Sequence, residues 1–318
     1  MTKSEIFERI FNSGVVPAVC LEEAGDASPL AQALLAAGVD VISLSFKTEA
    51  AERIVQNLTG AGILVGAGAV LDVETVKQAV SAGASFIMTP GFNHNVVKYC
   101  VDNDICVIPG VSCPTDIEAG LAYGLSVVTF FPAETNGGPA ALEAFSAPYG
   151  GLKFIPAGGI SKENIASYLA LDCVLACGDD RIARDDLIKA KDFTEITRLA
   201  KETVAAVHGF TFAHLGINSP DEASAGAVAD AFTSLFGFPQ KDIGISIFST
   251  NSIEIMKSKG HGDFGHIGIR CVNLHRAIAY LKSKEIETDP ETILQRGGRP
   301  VLIYLKEPIG SFMVHIVQ

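Results

Sequence analysis

Val127-Val128-Thr129-Phe130-Phe131-Pro132-Ala133-Glu134 is a short apolar run that stops at a proline and a carboxylate. A strand with one wet face alternates apolar and polar residues. A strand covered on both faces reads as a nearly unbroken apolar run, and Val127–Phe131 is of that kind. Seven further runs of the same type occur before residue 205: Val15–Cys20, Val39–Phe46, Leu64–Val70, Phe86–Thr89, Cys106–Val111, Phe154–Ala157 and Val174–Cys177. Helical patterns such as Pro29–Ala37, Val73–Ala82 and Pro114–Tyr123 separate them. Strands alternating with helices in this number predict an α/β fold, a (β/α)8 TIM barrel. Ser28 before Pro29 has the form of a helix N-cap followed by proline at the first helical position. Gly38, Gly83 and Gly124 stand where helices close on a left-handed residue.

The beat changes after a long helix, Asp192–Val207, with a boundary near residue 208. Phe210–Ile217 is expected as a strand, Asp221–Leu235 as a helix, and Ile243–Phe248 with Ser252–Met256 as a hairpin. After a turn containing Gly260, Gly262 and Gly265 the order recurs: strand His266–Val272, helix Leu274–Lys284, strands Val301–Lys306 and Phe312–Val317. The two openings match, Ala213-His214-Leu215-Gly216-Ile217 against Gly265-His266-Ile267-Gly268-Ile269. This is an internal βαββ repeat of roughly fifty residues, a duplicated module. The domains expected are therefore 1–208 and 209–318.

The chain has 318 residues, 48% of them hydrophobic, enough for two substantial cores. No run of eighteen apolar residues occurs, so no membrane span is expected. The N-terminus lacks a basic-then-apolar leader, and the seven scattered cysteines suit reduced, buried thiols, so a cytoplasmic protein is expected. The net charge of −12 divides unevenly: residues 1–205 carry 14 Lys and Arg against 25 Asp and Glu, residues 206–318 carry 10 against 11. An acidic first domain excludes nucleic acid as a partner, because phosphates need a basic patch.

The first domain resembles the KDPG/KHG aldolase family, which acts on 2-keto-3-deoxy-6-phosphogluconate and 4-hydroxy-2-oxoglutarate. The motifs are Val15-Val16-Pro17, Lys47-Thr48-Glu49, Val65-Gly66-Ala67-Gly68, Thr89-Pro90-Gly91, Ile108-Pro109-Gly110, Phe130–Glu134 and Pro156-Ala157-Gly158-Gly159-Ile160. In a TIM barrel they fall at C-terminal strand ends, where active sites are built. The resemblance implies a homotrimer, a small 2-oxo or 2-hydroxy acid as ligand, and Pro90, Phe131, Gly158, Gly159 and Asp180 as binding positions. It also implies a Schiff-base lysine at Thr129, a general-base glutamate at Ser43, and a carboxylate-binding arginine at Lys47. A hydroxyl cannot form an imine, so the standard lyase mechanism is not expected here. Lys47 either keeps the arginine's charge for a carboxylate or takes over imine formation, since alternation would place it on the Ser43 face. Gly178-Asp179-Asp180 stands where a phosphate would dock, and a carboxylate repels phosphate. A third alternative is a non-imine reaction using Glu134, Asp179 or Asp180. A fourth is a degenerate barrel that only binds or scaffolds.

The second domain resembles the vicinal oxygen chelate superfamily, the glyoxalase and epimerase group, an α+β fold of paired βαβββ modules. That resemblance implies divalent-metal ligands at His214 and Glu254 from the first module and His266 and His315 from the second. Neutral imidazole nitrogens and a carboxylate suit Zn, Ni, Mn or Fe. Glu254 is also the candidate base. The bland alternative is a hydrogen-bonded His/Glu network, and the alternative for the whole chain is a non-catalytic sensor.

Overall fold

A computed structural model describes residues 1–318, which divide into two compact units, Met1–Val207 and His208–Gln318. In the first, β1 (Val15–Val19), β2 (Val41–Ser45), β3 (Leu64–Gly68), β4 (Phe86–Met88), β5 (Val107–Ile108), β6 (Gly110–Val111), β7 (Val127–Phe130), β8 (Lys153–Pro156) and β9 (Cys177–Asp179) follow in order. Pairing is parallel throughout, and the first sheet runs β5-β4-β3-β2-β1-β9. β5 and β6 are one barrel strand divided at Pro109, which has no N–H to give. The Pro109 carbonyl still accepts from the Thr129 N–H at 2.8 Å. A bridge from Phe154 to Val174 closes the ring. All eight sequence-predicted barrel strands are present, with β9 starting three residues later than Val174.

The barrel is filled by inward side chains from most of its strands, among them Val16, Val41, Leu64, Phe86, Ile108, Val127 and Ile155. Ile6 and Ile10 of the helix Lys3–Ser13 join them. Each such side chain contributes roughly 1.5–3 kcal/mol when removed from water. That helix starts on a capping box, with Thr2 and Glu5 each accepting the other's backbone N–H. One local expectation is corrected. Ser28 is not an N-cap: the helix runs Ala27–Leu35, continuous with a short turn at Ala24–Asp26, so Ser28 lies inside it. The predicted glycine caps do form, at φ 85° (Gly38), 110° (Gly83) and 73° (Gly124).

The second unit holds β10 (Thr211–Ile217), β11 (Gln240–Asp242), β12 (Ser246–Ser249), β13 (Ile253–Met256), β14 (Gly265–Arg270), β15 (Thr288–Arg296), β16 (Arg299–Leu305) and β17 (Met313–Val317). They form one mixed sheet ordered β11-β12-β13-β10-β14-β17-β16-β15. Read from the central antiparallel pair β10·β14 outward, both halves have the same plan: opening strand, last strand, middle strand, edge strand. The repeat is thus βαβββ, one strand longer per copy than its apolar pattern shows. The helix of each copy, Glu222–Phe236 and Leu274–Ser283, starts on a side-chain cap, Asp221 and Asn273.

Alternation assigns the two faces. Ile255 and Ile247 pack with Ala225 and Ala229 of the first helix. Ile303, Val314 and Ile316 pack with Leu274 and Ala277 of the second. The residues between them on each strand project to the helix-free face. They include His214, Gly216, Glu254, His266, Gly268 and His315.

Candidate functional site

At the C-terminal end of the barrel strands a cavity of about 660 Å³ is lined by Cys20, Ser43, Ser45, Gly68, Asp180 and Arg184, among others. Ser43 is buried on β2, and an added Cβ at Gly68 would come within 2.4 Å of its Oγ. Glycine at 68 therefore leaves room for the Ser43 hydroxyl. Ala69, the next residue, sits at φ 56°, a left-handed conformation alanine rarely adopts. No lysine lines the cavity.

Lys47 is a correction to the alternation argument. β2 ends at Ser45, and Lys47 is exposed on the turn that follows, so strand geometry no longer carries it to the Ser43 face. Thr129 is buried on β7, its Oγ1 3.5 Å from the Ile108 carbonyl, at the outer limit of a hydrogen bond. Pro90 belongs to a separate cavity of about 440 Å³ with Thr89, Phe92 and His94. Phe131 is partly exposed, and its ring lies 3.0 Å from where a Cβ at Gly158 would stand. A Cβ at Gly159 would meet Glu134 instead, whose carboxylate accepts from the Tyr168 hydroxyl.

Asp180 is exposed on the cavity rim, whereas Asp179 is buried. The Asp179 carboxylate accepts the Arg181 N–H at 2.6 Å and the Ile182 N–H at 3.1 Å. Burial pushes its pKa up, against the pull of those two donors. The backbone donors of this loop therefore already serve an internal carboxylate.

The sheet domain gathers a denser set. The Nε2 atoms of His214 and His266 lie 3.1 Å apart. Glu254 Oε2 is 3.2 Å from His266 Nε2 and 3.3 Å from His214 Nε2. Nitrogens of His214, His266 and His315 all fall within 4.8 Å of one another. His266, His315 and Glu254 are buried and His214 is nearly so. Burial lowers the His214 pKa and takes that of His315 down to about 3, helped in His315 by the neighbouring imidazoles. Burial pushes Glu254 up, but hydrogen bonds from His266 and Ser246 outweigh it and hold the carboxyl below its usual range.

Two glycines that the sequence reading passed over make this cluster possible. In the sheet register His214 lies opposite Gly268, and Gly216 opposite His266. A Cβ at Gly216 would stand 2.0 Å from the His266 ring, and one at Gly268 would stand 2.6 Å from His214 and 2.8 Å from His315. Each copy's glycine is the slot for the other copy's imidazole. Their signal was in the sequence, as glycine two residues after each matched histidine. Ser246 was also missed: wholly buried, it donates from Oγ to Glu254 Oε1 at 2.6 Å, which leaves Oε2 aimed at the two histidines.

A divalent cation fits this donor set. Both ring nitrogens of His315 are buried without a hydrogen-bond partner, and such orphans are rare unless something else binds them. Ligands at about 2.0–2.1 Å from a tetrahedral ion lie roughly 3.3 Å from one another, close to the separations between His214, His266 and Glu254.

A family profile described as KDPG and KHG aldolase matches residues 6–199. The 2-dehydro-3-deoxy-phosphogluconate aldolase of Treponema pallidum is 42% identical over 204 residues, covering 64% of this chain and 97% of that protein. The KHG/KDPG aldolase of Escherichia coli K12 is 38% identical over 200 residues, 62% and 94% of the two chains. Among solved structures, KDPG aldolase from Legionella pneumophila, with pyruvate captured as a covalent carbinolamine, superposes with a TM-score of 0.60 at 32% identity, covering 64% and 98%. The Zymomonas mobilis enzyme with 3-phosphoglycerate gives 0.61 at 32%, covering 64% and 97%.

Proposed function

The chain belongs to the KDPG and KHG aldolase family, and from that premise we propose that it is a lyase-type enzyme of small 2-oxo or 2-hydroxy acids whose chemistry has moved from a Schiff base in the barrel to a metal centre in the sheet domain. The observation that carries this reading is the cluster of His214, Glu254, His266 and His315, three of them buried and one with both ring nitrogens unserved. The sheet's paired βαβββ plan supports its assignment to the vicinal oxygen chelate type.

In this reading the four side chains hold a divalent cation, which supplies Lewis-acid polarisation of neighbouring carbonyl and hydroxyl oxygens. Ser246 fixes one oxygen of Glu254 and leaves the other to bind or to accept a proton from the carbon beside the carbonyl. Burial keeps the His214 and His315 imidazoles neutral, the form that binds a cation.

The barrel's part is to hold a small acid in the cavity around Ser43, Ser45 and Asp180, without an imine. The absence of lysine from that lining supports this, as does the loss of the family lysine at Thr129 and of the family glutamate at Ser43. The trimer and the cytoplasmic location belong to the same proposal, the first checked by mass photometry. No helix is long and apolar enough to cross a membrane.

The test combines metal analysis with borohydride trapping in the presence of pyruvate and of 4-hydroxy-2-oxoglutarate. The expected result is about one divalent ion per chain, turnover of a 2-oxo acid that chelator abolishes, and no pyruvate adduct. An adduct on Lys47 or any other barrel lysine would restore the imine mechanism. Ligand binding without turnover in the metal-loaded protein would make it a sensor.

A further inference from the structure

The two halves of the sheet face are near copies, and two neighbouring pairs of positions break the symmetry. Glu254 and His315 are equivalents on the last strands of the two copies, and the residues paired directly opposite them are Phe248 on β12 and Tyr304 on β16. Directly opposed residues share a face. The equivalence holds in the ring geometry. Phe248 meets His214 edge-on at 5.9 Å and 75°, and Tyr304 meets His266 edge-on at 6.2 Å and 80°. Tyr304 also stands 4.9 Å from the His315 ring. Besides the exchange of Glu254 for His315, the halves therefore differ here by one hydroxyl, that of Tyr304.

The surroundings of Tyr304 keep it in place. The His261 ring lies 4.6 Å from it. His261 sits on a turn that Asn218 ties down, accepting the Gly260 N–H at 3.0 Å and donating to the Gly262 carbonyl at 2.8 Å. The phenol is half-buried, so its torsional freedom is already largely spent.

Building on the metal reading above, we propose that Tyr304 is the specificity-determining residue of the histidine cluster. Its hydroxyl donates a hydrogen bond to an oxygen of a small acid held there through two neighbouring oxygens, while Phe248 faces the ligand's apolar end. A cup built from two near copies offers such a ligand two opposite orientations, already made unequal by Glu254 on one side and His315 on the other. The Phe248/Tyr304 pair reinforces that inequality, so that one face of the ligand is presented to Glu254. The ligand class is a short 2-oxo or 2-hydroxy acid with a small apolar terminus, of the kind pyruvate represents. A longer acid with a second charged end is disfavoured, because Phe248 offers that end no partner.

The experiment uses full-length protein loaded with cobalt(II), whose visible spectrum reports metal binding and, separately, the binding of pyruvate. Tyr304→Phe is expected to take up cobalt as the wild type does and to bind pyruvate about tenfold more weakly, the loss of one hydrogen bond to a charged or polar oxygen. The exchange Phe248→Tyr with Tyr304→Phe moves the hydroxyl to the equivalent place in the other half and is expected to recover most of that loss. Unchanged pyruvate affinity in Tyr304→Phe, with normal cobalt uptake, overturns the inference and leaves the metal reading standing. Failure of the wild type to bind cobalt, seen before pyruvate is added, overturns both.

Discussion

The barrel keeps a whole framework around a depleted mouth, while the sheet domain uses a plain framework to concentrate ligating groups. In the barrel all eight strands, the split at Pro109 and the glycines at 158 and 159 remain. The positions that would do imine chemistry carry Ser43 and Thr129. In the sheet domain three histidines and a glutamate converge, with Ser246 fixing the glutamate and Tyr304 alongside. The difference teaches that framework and reactivity are held by separate sets of residues. Apolar runs buried on both faces preserve the barrel without reference to its mouth. The sheet domain's core lies on the helix-covered side, so its other face is free to carry ligands.

The contrast can be broken most decisively at a ligand. His266→Ala should abolish tight metal binding, a larger loss than the roughly 10–100-fold that removal of an outer partner costs. Equilibrium dialysis against zinc checks it, and retained affinity would place the metal elsewhere.

Acid should separate the two units next. Of seven histidines only His94 belongs to the barrel, and it is exposed, whereas His208 is buried against Tyr280 and Phe210. Burial, with Arg276 nearby, lowers the His208 pKa to about 4 from an ordinary value of 6.5. Between those values the unfolded chain binds more protons than the folded one, so stability falls as the pH drops. The expected loss from this residue is on the order of 3 kcal/mol between pH 6.5 and 4. Denaturant melts should show the second unit failing before the barrel, with a shallower pH slope in His208→Gln. Equal slopes in the variant and the wild type would remove His208 from this account.

Ser246→Ala sharpens the contrast on a smaller scale. Freed from its hydrogen bond, Glu254 should lose its fixed aim, weakening zinc affinity roughly 10–100-fold with little change in melting temperature. Smallest of all is Thr129→Val. Its hydroxyl makes only a marginal contact with the Ile108 carbonyl, so stability should change by less than about 1 kcal/mol and metal content not at all. A large penalty would show that the barrel's polar remnant still has structural work.

The barrel was legible because burial on both faces writes itself as uninterrupted apolar sequence, as in Val127–Phe131. The histidine cluster was legible because duplication repeats His-x-Gly at matched places. What stayed hidden has physical reasons. β11, Gln240–Asp242, is wholly exposed and polar, and most of β15, Thr288–Arg296, is exposed, so neither edge strand shows alternation. Lys47 was misplaced because a strand's end, here Ser45, is set by pairing with β3 rather than by composition. Ser246 and Tyr304 gain their roles from cross-strand register, which no single stretch of sequence contains.

The interlocked glycines have a consequence for how this domain can change over generations. Since the slots for His214 and His266 are each cut in the opposite copy, such a histidine and its glycine form one heritable unit split across about fifty residues of chain. A drift to alanine in either repeat would be felt in the half that did not mutate. The two copies are therefore bound to a shared history: their outer strands and loops are free to diverge, as Phe248 and Tyr304 have, while the central pair must stay twins.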